Sequence, residues 1–252
     1  MVNLSGIMKE GKAFYLAYDQ GLEHGPEEFN DRNVDPLFII KIAKEGRYNG
    51  LIVQKGIADK YHREIKASKV PLIIKLNGKT ALVKGEPISP LLCTVDEAVK
   101  LGARAVGYTI YIGSAHESLM MKDFEKVLRE AHSKGLPVIA WVYPRGKSIK
   151  GKSERELMAY AARVGLEIDA DMIKIKYDGN PKDLKWAIKA AGSGRVKLVI
   201  AGGSKVNEEL FIKNIRDIIK AGAAGVAVGR NVWKSDNPIK LSKKIRKIIF
   251  KK

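Results

Sequence analysis

Two lysines lie in the otherwise apolar run MIKIKY at residues 172–177, within the segment MIKIKYDGNPKD. The run is short, rich in isoleucine and closed by the turn sequence DGNP, which is typical of a buried strand. Lysine is almost never buried without a partner or a function. Burial lowers the pKa of an amine, and the neutral amine can attack a carbonyl carbon. We therefore predict a nucleophilic lysine here, with Lys176 supplying a neighbouring positive charge to Lys174. The alternative is that one lysine pairs with Asp19 and only holds the core together.

Short apolar runs alternate with helical patterns along the whole chain. Strands are predicted at 13–19, 50–56, 71–77, 105–111, 137–143, 171–177, 197–203 and 225–231. The segments between them have helical spacing, least clearly in IADKYHREIKAS, and strands that alternate with helices pair in parallel. Eight such units in 252 residues indicate a single-domain α/β fold, a (β/α)8 TIM barrel over residues 1–252. An open doubly wound sheet is the competitor, but no G-x-G-x-x-G follows an early strand.

The alternation of side chains along a strand predicts which residues face the barrel axis. The polar or aromatic residues predicted to face inward near the strand ends are Asp19, Lys75, Asn77, Trp141, Tyr143, Lys174 and Lys176. Barrel active sites lie at the carboxyl ends of the strands, so we expect these side chains to share one cavity.

The other inward groups suggest roles around such an amine. Tyr143 could act as acid and base, and Trp141 could form a cavity wall, although each is also an ordinary inward aromatic. Asp19 could bind substrate hydroxyls or orient the lysine, or it could simply cap a helix. His24 lies near Asp19 and could line the cavity mouth.

Glycine-rich stretches follow the last two predicted strands, AGGSK at 201–205 and VGRN at 228–231. Barrels often bind phosphate there through backbone N–H groups, and an arginine can add a bidentate grip. The predicted phosphate-binding residues are Gly202, Gly203, Gly229 and Arg230. Ordinary tight turns are the alternative.

Composition limits the partners that this chain can bind. The net charge of +18 and the pI near 9.8 favour anions, such as phosphorylated metabolites or nucleic acid. No basic stripe interleaved with aromatics is present, so we expect no specific nucleic-acid binding. No segment is apolar for the ~18 residues that a membrane span needs, so we expect no membrane insertion. The four histidines are scattered and Cys93 is the single cysteine, so we expect no metal, no cofactor and a cytoplasmic location.

Several long motifs resemble the archaeal-type class I fructose-1,6-bisphosphate aldolases, the DhnA-like family. They are AYDQGLEHGP, LIVQKGIADKY, LIIKLNGKT, GYTIYIGS, WVYPRG, MIKIKYDG and GVAVGRNVW, and the resemblance runs from about residue 4 to 235. It implies a metal-independent barrel enzyme that forms a Schiff base with dihydroxyacetone phosphate and assembles into a homo-oligomer.

The resemblance also implies site roles. Lys174 corresponds to the Schiff-base lysine, Tyr143 to the proton donor and acceptor, and Asp19 to the substrate-orienting carboxylate. Trp141 corresponds to a cavity wall, and Arg145 is a candidate for contacting substrate or the far phosphate.

Two departures from the family pattern fall among the expected site residues, and the second lies at the expected phosphate site. Gln20 follows Asp19 where many relatives have histidine, and Ala201 stands where relatives often have serine. The runner-up interpretation is a transaldolase-like enzyme of the same family, of the amino-dideoxy-heptulosonate synthase type, which would use the same lysine with a different acceptor.

Overall fold

Eight parallel strands close into a barrel in the order β1 to β8 in this computed structural model, which describes residues 2–251. The strands are β1 Ala13–Ala17, β2 Gly50–Gln54, β3 Leu72–Lys75, β4 Ala105–Ile112, β5 Val138–Pro144, β6 Met172–Ile175, β7 Lys197–Ala201 and β8 Gly225–Val228. Since β8 pairs with β1 as well as with β7, the sheet has no open edge, and the predicted TIM barrel is confirmed.

Eleven α-helices and two short 3-10 helices surround or cap the barrel within the described residues. The helices are α1 Gln20–His24, α2 Pro36–Glu45, α3 Lys55–Lys60, α4 His62–Ser68, α5 Val95–Lys100, α6 Glu117–Ser133, α7 Glu154–Glu167, α8 Pro181–Ala190, α9 Glu208–Ala221, α10 Arg230–Trp233 and α11 Pro238–Ile249, with 3-10 helices at Pro26–Glu28 and Lys147–Ile149. The irregular segment IADKYHREIKAS forms two short helices that meet at Tyr61. None of the helices in the described part of the chain is both long and apolar enough to cross a bilayer.

Local sequence explains where four of the helices begin. Thr94 and Ser153 each form a capping box with a glutamate three residues later, at the start of α5 and α7. Asn180 and Asn207 accept a backbone N–H at the start of α8 and α9. These caps fix the helix starts, and so they set the lengths of the loops that carry the strand ends into the cavity.

Two apolar clusters build the core, one on each side of the sheet. The outer cluster lies between strands and helices and includes Phe14 and Leu16. The inner cluster fills the barrel and comprises Ile7, Ala13, Tyr15, Ala17, Ile52, Ile73, Ala105, Ile139, Trp141, Met172, Val199 and Ala227. The alternation predicted for the first, fifth and sixth strands therefore matches the structure.

Most strands are shorter than the sequence predicts. β1 ends at Ala17, β3 at Lys75 and β6 at Ile175, so Asp19, Asn77 and Lys176 lie beyond the regular sheet. The backbone changes direction there, and the two-residue alternation no longer determines where those side chains point.

Candidate active site

A cavity of about 400 Å³ opens at the carboxyl ends of the strands. Its volume lies in the range of roughly 300–1,000 Å³ that is typical of small-molecule sites. All eleven residues predicted for the site line it: Asp19, Gln20, His24, Trp141, Tyr143, Arg145, Lys174, Gly202, Gly203, Gly229 and Arg230. The sequence missed Glu23 as a lining residue, and it placed Lys75 inward without giving it a role.

Lys174 lies in the wall of this cavity with only 5% of its surface exposed. It pairs with Trp141 across the β5–β6 ladder, and its Nζ atom lies 4.8 Å from the centre of the Trp141 ring. Burial lowers the pKa of Lys174 to about 8; the charge of Lys75 acts in the same direction, while Asp19 opposes it. A substantial fraction of Lys174 is therefore the neutral, nucleophilic amine near pH 8.

The indole of Trp141 fits beside Lys174 because Gly107, on the neighbouring strand β4, has no side chain. A Cβ atom on Gly107 would lie 1.4 Å from Cζ3 of Trp141, so only glycine leaves room for the ring in this position. This close approach could not be inferred from the spacing of residues along either strand.

The cation that acts on Lys174 is Lys75, whereas the sequence predicted Lys176. Lys75 is 1% exposed, its Nζ atom lies 3.5 Å from Oδ2 of Asp19, and it also contacts the Glu23 carboxylate. Lys176 is exposed and does not contribute to the lowered pKa of Lys174, because β6 ends one residue earlier. The prediction for Lys176 was therefore wrong, although its side chain still lines the cavity.

Two carboxylates keep Lys75 charged in this dry position. Burial lowers the pKa of Lys75, but the charges of Glu23 and Asp19 outweigh that effect and the net shift is upward. Burial has the opposite effect on a carboxyl group and raises the pKa of Asp19, but the charges of Lys174 and Lys75 outweigh it and the net shift is downward. Asp19 precedes α1 without capping it through its side chain, so its carboxylate remains available to the cavity.

Tyr143 provides a protonated phenol at the cavity wall. Burial raises its pKa well above the ordinary value, and the negative charges of Asp19 and Glu23 add to this effect. The guanidinium of Arg145 lies 5.0 Å from the ring centre of Tyr111 and 5.9 Å from that of Tyr143. The two rings thus hold the arginine at the mouth of the cavity.

The loops after β7 and β8 form another part of the cavity wall, a cradle of backbone groups. The N–H of Gly202 donates to the Ala227 carbonyl at 2.9 Å, so this glycine is not the free phosphate donor that the sequence suggested. Within residues 2–251, the N–H groups of Gly203 and Ser204 donate to no backbone carbonyl. Gly203 has a φ of 71°, which favours glycine. The available donors of this loop are therefore those of Gly203 and Ser204.

Asn231, which sequence reasoning did not single out, holds this cradle together. Its side chain is 1% exposed; its Nδ2 atom donates to the carbonyls of Gly202 at 2.9 Å and Ser204 at 2.8 Å. Its Oδ1 atom accepts the N–H of Val206 at 2.9 Å. The asparagine in VGRN could have been noticed in the sequence. Its partners could not have been identified, because they lie at least 25 residues earlier in the chain.

The charges around the cavity favour an anionic ligand. Five cationic side chains and two carboxylates line it: Lys75, Lys174, Lys176, Arg145 and Arg230 against Asp19 and Glu23. Burial lowers the pKa of His24, and the charge of Arg230 adds to this effect. The Nε2 atom of Gln20 is buried without a hydrogen-bond partner, so it offers a further donor to a ligand. In the described chain, no three histidine, cysteine, aspartate or glutamate side chains are grouped so as to hold a metal ion.

A closed barrel that buries a lysine of lowered pKa beside a carboxylate has the arrangement that a Schiff-base aldolase needs. The model of the DeoC/LacD family aldolases matches residues 13–235. The chain belongs to this family.

Named relatives agree with the family. The class 1 fructose-bisphosphate aldolase of Thermoproteus tenax is 44% identical over 245 residues, covering 96% of this chain and 91% of the relative. A Methanocaldococcus jannaschii protein, fructose-bisphosphate aldolase/6-deoxy-5-ketofructose 1-phosphate synthase, is 37% identical over 240 residues, covering 89% of this chain and 76% of the relative.

A solved archaeal fructose-1,6-bisphosphate aldolase has the same fold. The TM-score is 0.92 with 44% identity, and the match covers 98% of this chain and 97% of that one. In that structure the catalytic lysine is covalently bound to the carbinolamine intermediate of the substrate.

Proposed function

We propose that Lys174 forms the Schiff base in the reversible cleavage of fructose 1,6-bisphosphate to dihydroxyacetone phosphate and glyceraldehyde 3-phosphate. This chain is a class I fructose-bisphosphate aldolase, a lyase whose reaction belongs to glycolysis and gluconeogenesis. The observation that carries the assignment of Lys174 is its burial in the cavity wall with a pKa lowered to about 8.

The neutral amine of Lys174 attacks the C2 carbonyl carbon of the ketose, and the resulting carbinolamine loses water to give an iminium ion. As the C4 hydroxyl gives its proton to a basic group in the cavity, the C3–C4 bond breaks and its electron pair moves to the iminium, so the aldehyde leaves and an enamine remains. Protonation at C3 and addition of water then release dihydroxyacetone phosphate and the free amine. In the synthetic direction, the same enamine attacks the aldehyde carbon.

Tyr143 exchanges the proton at the reacting carbon, and its raised pKa keeps it in the proton-donating form. Asp19 accepts hydrogen bonds from substrate hydroxyls and orients Lys174, while Trp141 forms the wall beside the iminium. Gly203, Gly202, Gly229, Arg230 and Gln20 surround the phosphate next to C1, and Arg145 and His24 contact the far end of the substrate.

Borohydride trapping tests the assignment of the lysine. The protein is incubated with dihydroxyacetone phosphate, reduced, digested and analysed by peptide mass spectrometry, with Lys174→Met as the matched control. We expect one adduct on Lys174 and none in the variant. An adduct on Lys176 would overturn the assignment of the nucleophile, and full cleavage activity in Lys174→Met would overturn the mechanism.

A second candidate function is suggested by the bifunctional name of the Methanocaldococcus jannaschii relative. The lysine chemistry would be unchanged, and a different acceptor aldehyde would enter the far end of the cavity. A transaldolase-like enzyme of the amino-dideoxy-heptulosonate synthase type, the alternative that the sequence leaves open, would use the same lysine in this way. Trapped adduct formation without turnover of fructose 1,6-bisphosphate would favour this class.

We further propose that residues 1–252 act as one barrel domain, that the protein forms a homo-oligomer, and that it works in the cytoplasm. It has neither a specific nucleic-acid partner nor a membrane partner in this proposal. Light scattering measures the number of subunits in the oligomer. Filter binding of RNA at physiological salt tests whether the protein binds nucleic acid specifically.

A further inference from the structure

Arg230 is held from two sides by protein atoms before any ligand arrives. Its Nη1 atom donates to Oε1 of Glu28 at 2.7 Å, and its Nη2 atom donates to the carbonyl of Gly203 at 3.3 Å. A guanidinium has five N–H donors, so three remain for a ligand. The sequence predicted that Arg230 binds phosphate in a bidentate manner. In the structure, one N–H of each terminal nitrogen is already donated to a protein oxygen.

Glu28 lies behind Arg230, not inside the cavity. Arg230 is among the residues that line the cavity, whereas Glu28 is not. The second carboxylate oxygen of Glu28 accepts from Lys234 Nζ at 3.0 Å, so one carboxylate bridges two cations that flank α10. The carboxylate therefore restrains the arginine without occupying the space that a phosphate would use.

The backbone around this ion pair is fixed by aromatic packing. Phe29 follows Glu28 and packs against Trp233, with ring centres 6.3 Å apart, and Trp233 precedes Lys234. Tyr18 contacts both rings, and the indole of Trp233 donates to the Ala17 carbonyl at 3.2 Å. The loop after β1 is thus packed against the loop after β8, so the position of Glu28 is set independently of its charge.

We propose that Glu28 is a positioning residue, which holds Arg230 against the Gly203 carbonyl so that its remaining N–H groups face the phosphate next to C1 of the substrate. This inference rests on the proposed function, since it takes that phosphate as the ligand. An unrestrained arginine side chain would lose rotamer entropy on binding, and Glu28 imposes much of that restriction beforehand.

The test compares Glu28→Ala, Glu28→Gln and Arg230→Ala in borohydride trapping, with dihydroxyacetone phosphate or phosphate-free dihydroxyacetone as donor. We expect Glu28→Ala to raise the half-saturating concentration of dihydroxyacetone phosphate roughly 5- to 30-fold, the effect of losing one charge-assisted contact. The maximal trapping rate should change less than about 3-fold, because uniform binding is what is lost. Half-saturation by dihydroxyacetone should not change.

Two further comparisons distinguish positioning from general damage to the fold. Glu28→Gln keeps an oxygen that can accept from Arg230, so it should recover much of the affinity. Adding Glu28→Ala to Arg230→Ala should not raise the half-saturating concentration of dihydroxyacetone phosphate any further. Glu208→Ala is the matched control, since it breaks an exposed ion pair of similar length, Glu208–Lys244 at 3.0 Å. This variant should leave half-saturation by dihydroxyacetone phosphate and by dihydroxyacetone unchanged.

An unchanged or lowered half-saturation by dihydroxyacetone phosphate in Glu28→Ala would overturn the inference, because Glu28 would then be idle or would compete with phosphate. An equal loss of affinity for dihydroxyacetone phosphate and for phosphate-free dihydroxyacetone would also overturn it. If the wild-type protein forms no adduct at all, the proposed function fails instead. Calorimetric titration of the same variants with inorganic phosphate would then decide the role of Glu28 by itself.

Discussion

The ammonium group of Lys75 lies 3.5 Å from Oδ2 of Asp19, and Lys75 is the more deeply buried of the two. Asp19 faces the cavity beside Lys174, and Glu23 contacts the same ammonium group from α1. One fixed cation therefore holds two carboxylates and also lowers the pKa of the proposed nucleophile. The pairing has a structural effect and an electrostatic effect, and each can be measured.

Lys75→Met should destabilise the protein and shift its activity to higher pH. This substitution leaves two carboxylates, Asp19 and Glu23, with only Lys174 as a nearby buried cation, which costs up to roughly 3–5 kcal/mol. The pKa of Lys174 should rise, because a cation that lowers it is gone. Denaturant unfolding and the pH profile of kcat/KM measure the two effects.

Lys55→Met is the control for that variant. It breaks the Lys55–Glu97 pair, whose side chains are about 40% exposed, and such pairs contribute only about 0–1 kcal/mol. Equal destabilisation by the two substitutions would contradict the role given to Lys75.

The activity should increase with pH along an acid limb that reports Lys174. Only the neutral amine attacks the ketose, and burial lowers the pKa of this group from 10.5 to about 8. We expect kcat/KM for fructose 1,6-bisphosphate to rise about tenfold per pH unit below pH 7 and to level off above about pH 8. The rate of borohydride trapping should follow the same curve. An acid limb centred above pH 10 would mean that the amine is not perturbed.

Lys174→Met should stabilise the protein near neutral pH while abolishing its activity. The folded-state pKa of Lys174 lies below its unfolded value, so the unfolded chain binds more protons between about pH 8 and 10.5. The cost of burying this charge is fully present below pH 8 and disappears as pH rises through the unfolded pKa. We expect a gain of roughly 1–3 kcal/mol at pH 7 that vanishes above about pH 10.5. Denaturant unfolding at both pH values checks the sign, and a loss of stability at pH 7 would contradict it.

The sequence predicted those parts of the site that depend on strand periodicity. Lys174, Trp141 and Tyr143 lie on β5 and β6, where the two-residue alternation continues to the strand end. The role of Lys75 was not predicted, because its pairing depends on α1, and the role predicted for Lys176 was wrong, because Lys176 lies beyond β6. Local pattern determines which face a side chain occupies, but not which distant group it meets.

Long-range polar contacts were the least predictable part. Glu28 and Arg230 lie 202 residues apart and meet only because β8 closes the barrel against β1. The contacts of Asn231 with the loop after β7 likewise depend on the way in which neighbouring strand ends pair. Neither contact has a sequence spacing that would identify it before the barrel is known.

Asn231→Asp should weaken phosphate binding and destabilise the protein. The substitution keeps the oxygen that accepts from Val206, but removes the two N–H groups that hold the carbonyls of Gly202 and Ser204. It also places a negative charge behind the cradle at a residue that is 1% exposed. We expect KM for fructose 1,6-bisphosphate to rise at least about tenfold and stability to fall by roughly 2–4 kcal/mol.

The control for this prediction lies in the same loop. Asn207 caps α9 by accepting the N–H of Leu210 at 2.8 Å, and it does not line the cavity. Asn207→Ala should cost about 1 kcal/mol of stability without changing KM. If Asn207→Ala raised KM as much as Asn231→Asp, the cradle would be sensitive to any loosening of this loop. The specific support assigned to the Asn231 amide would then be wrong.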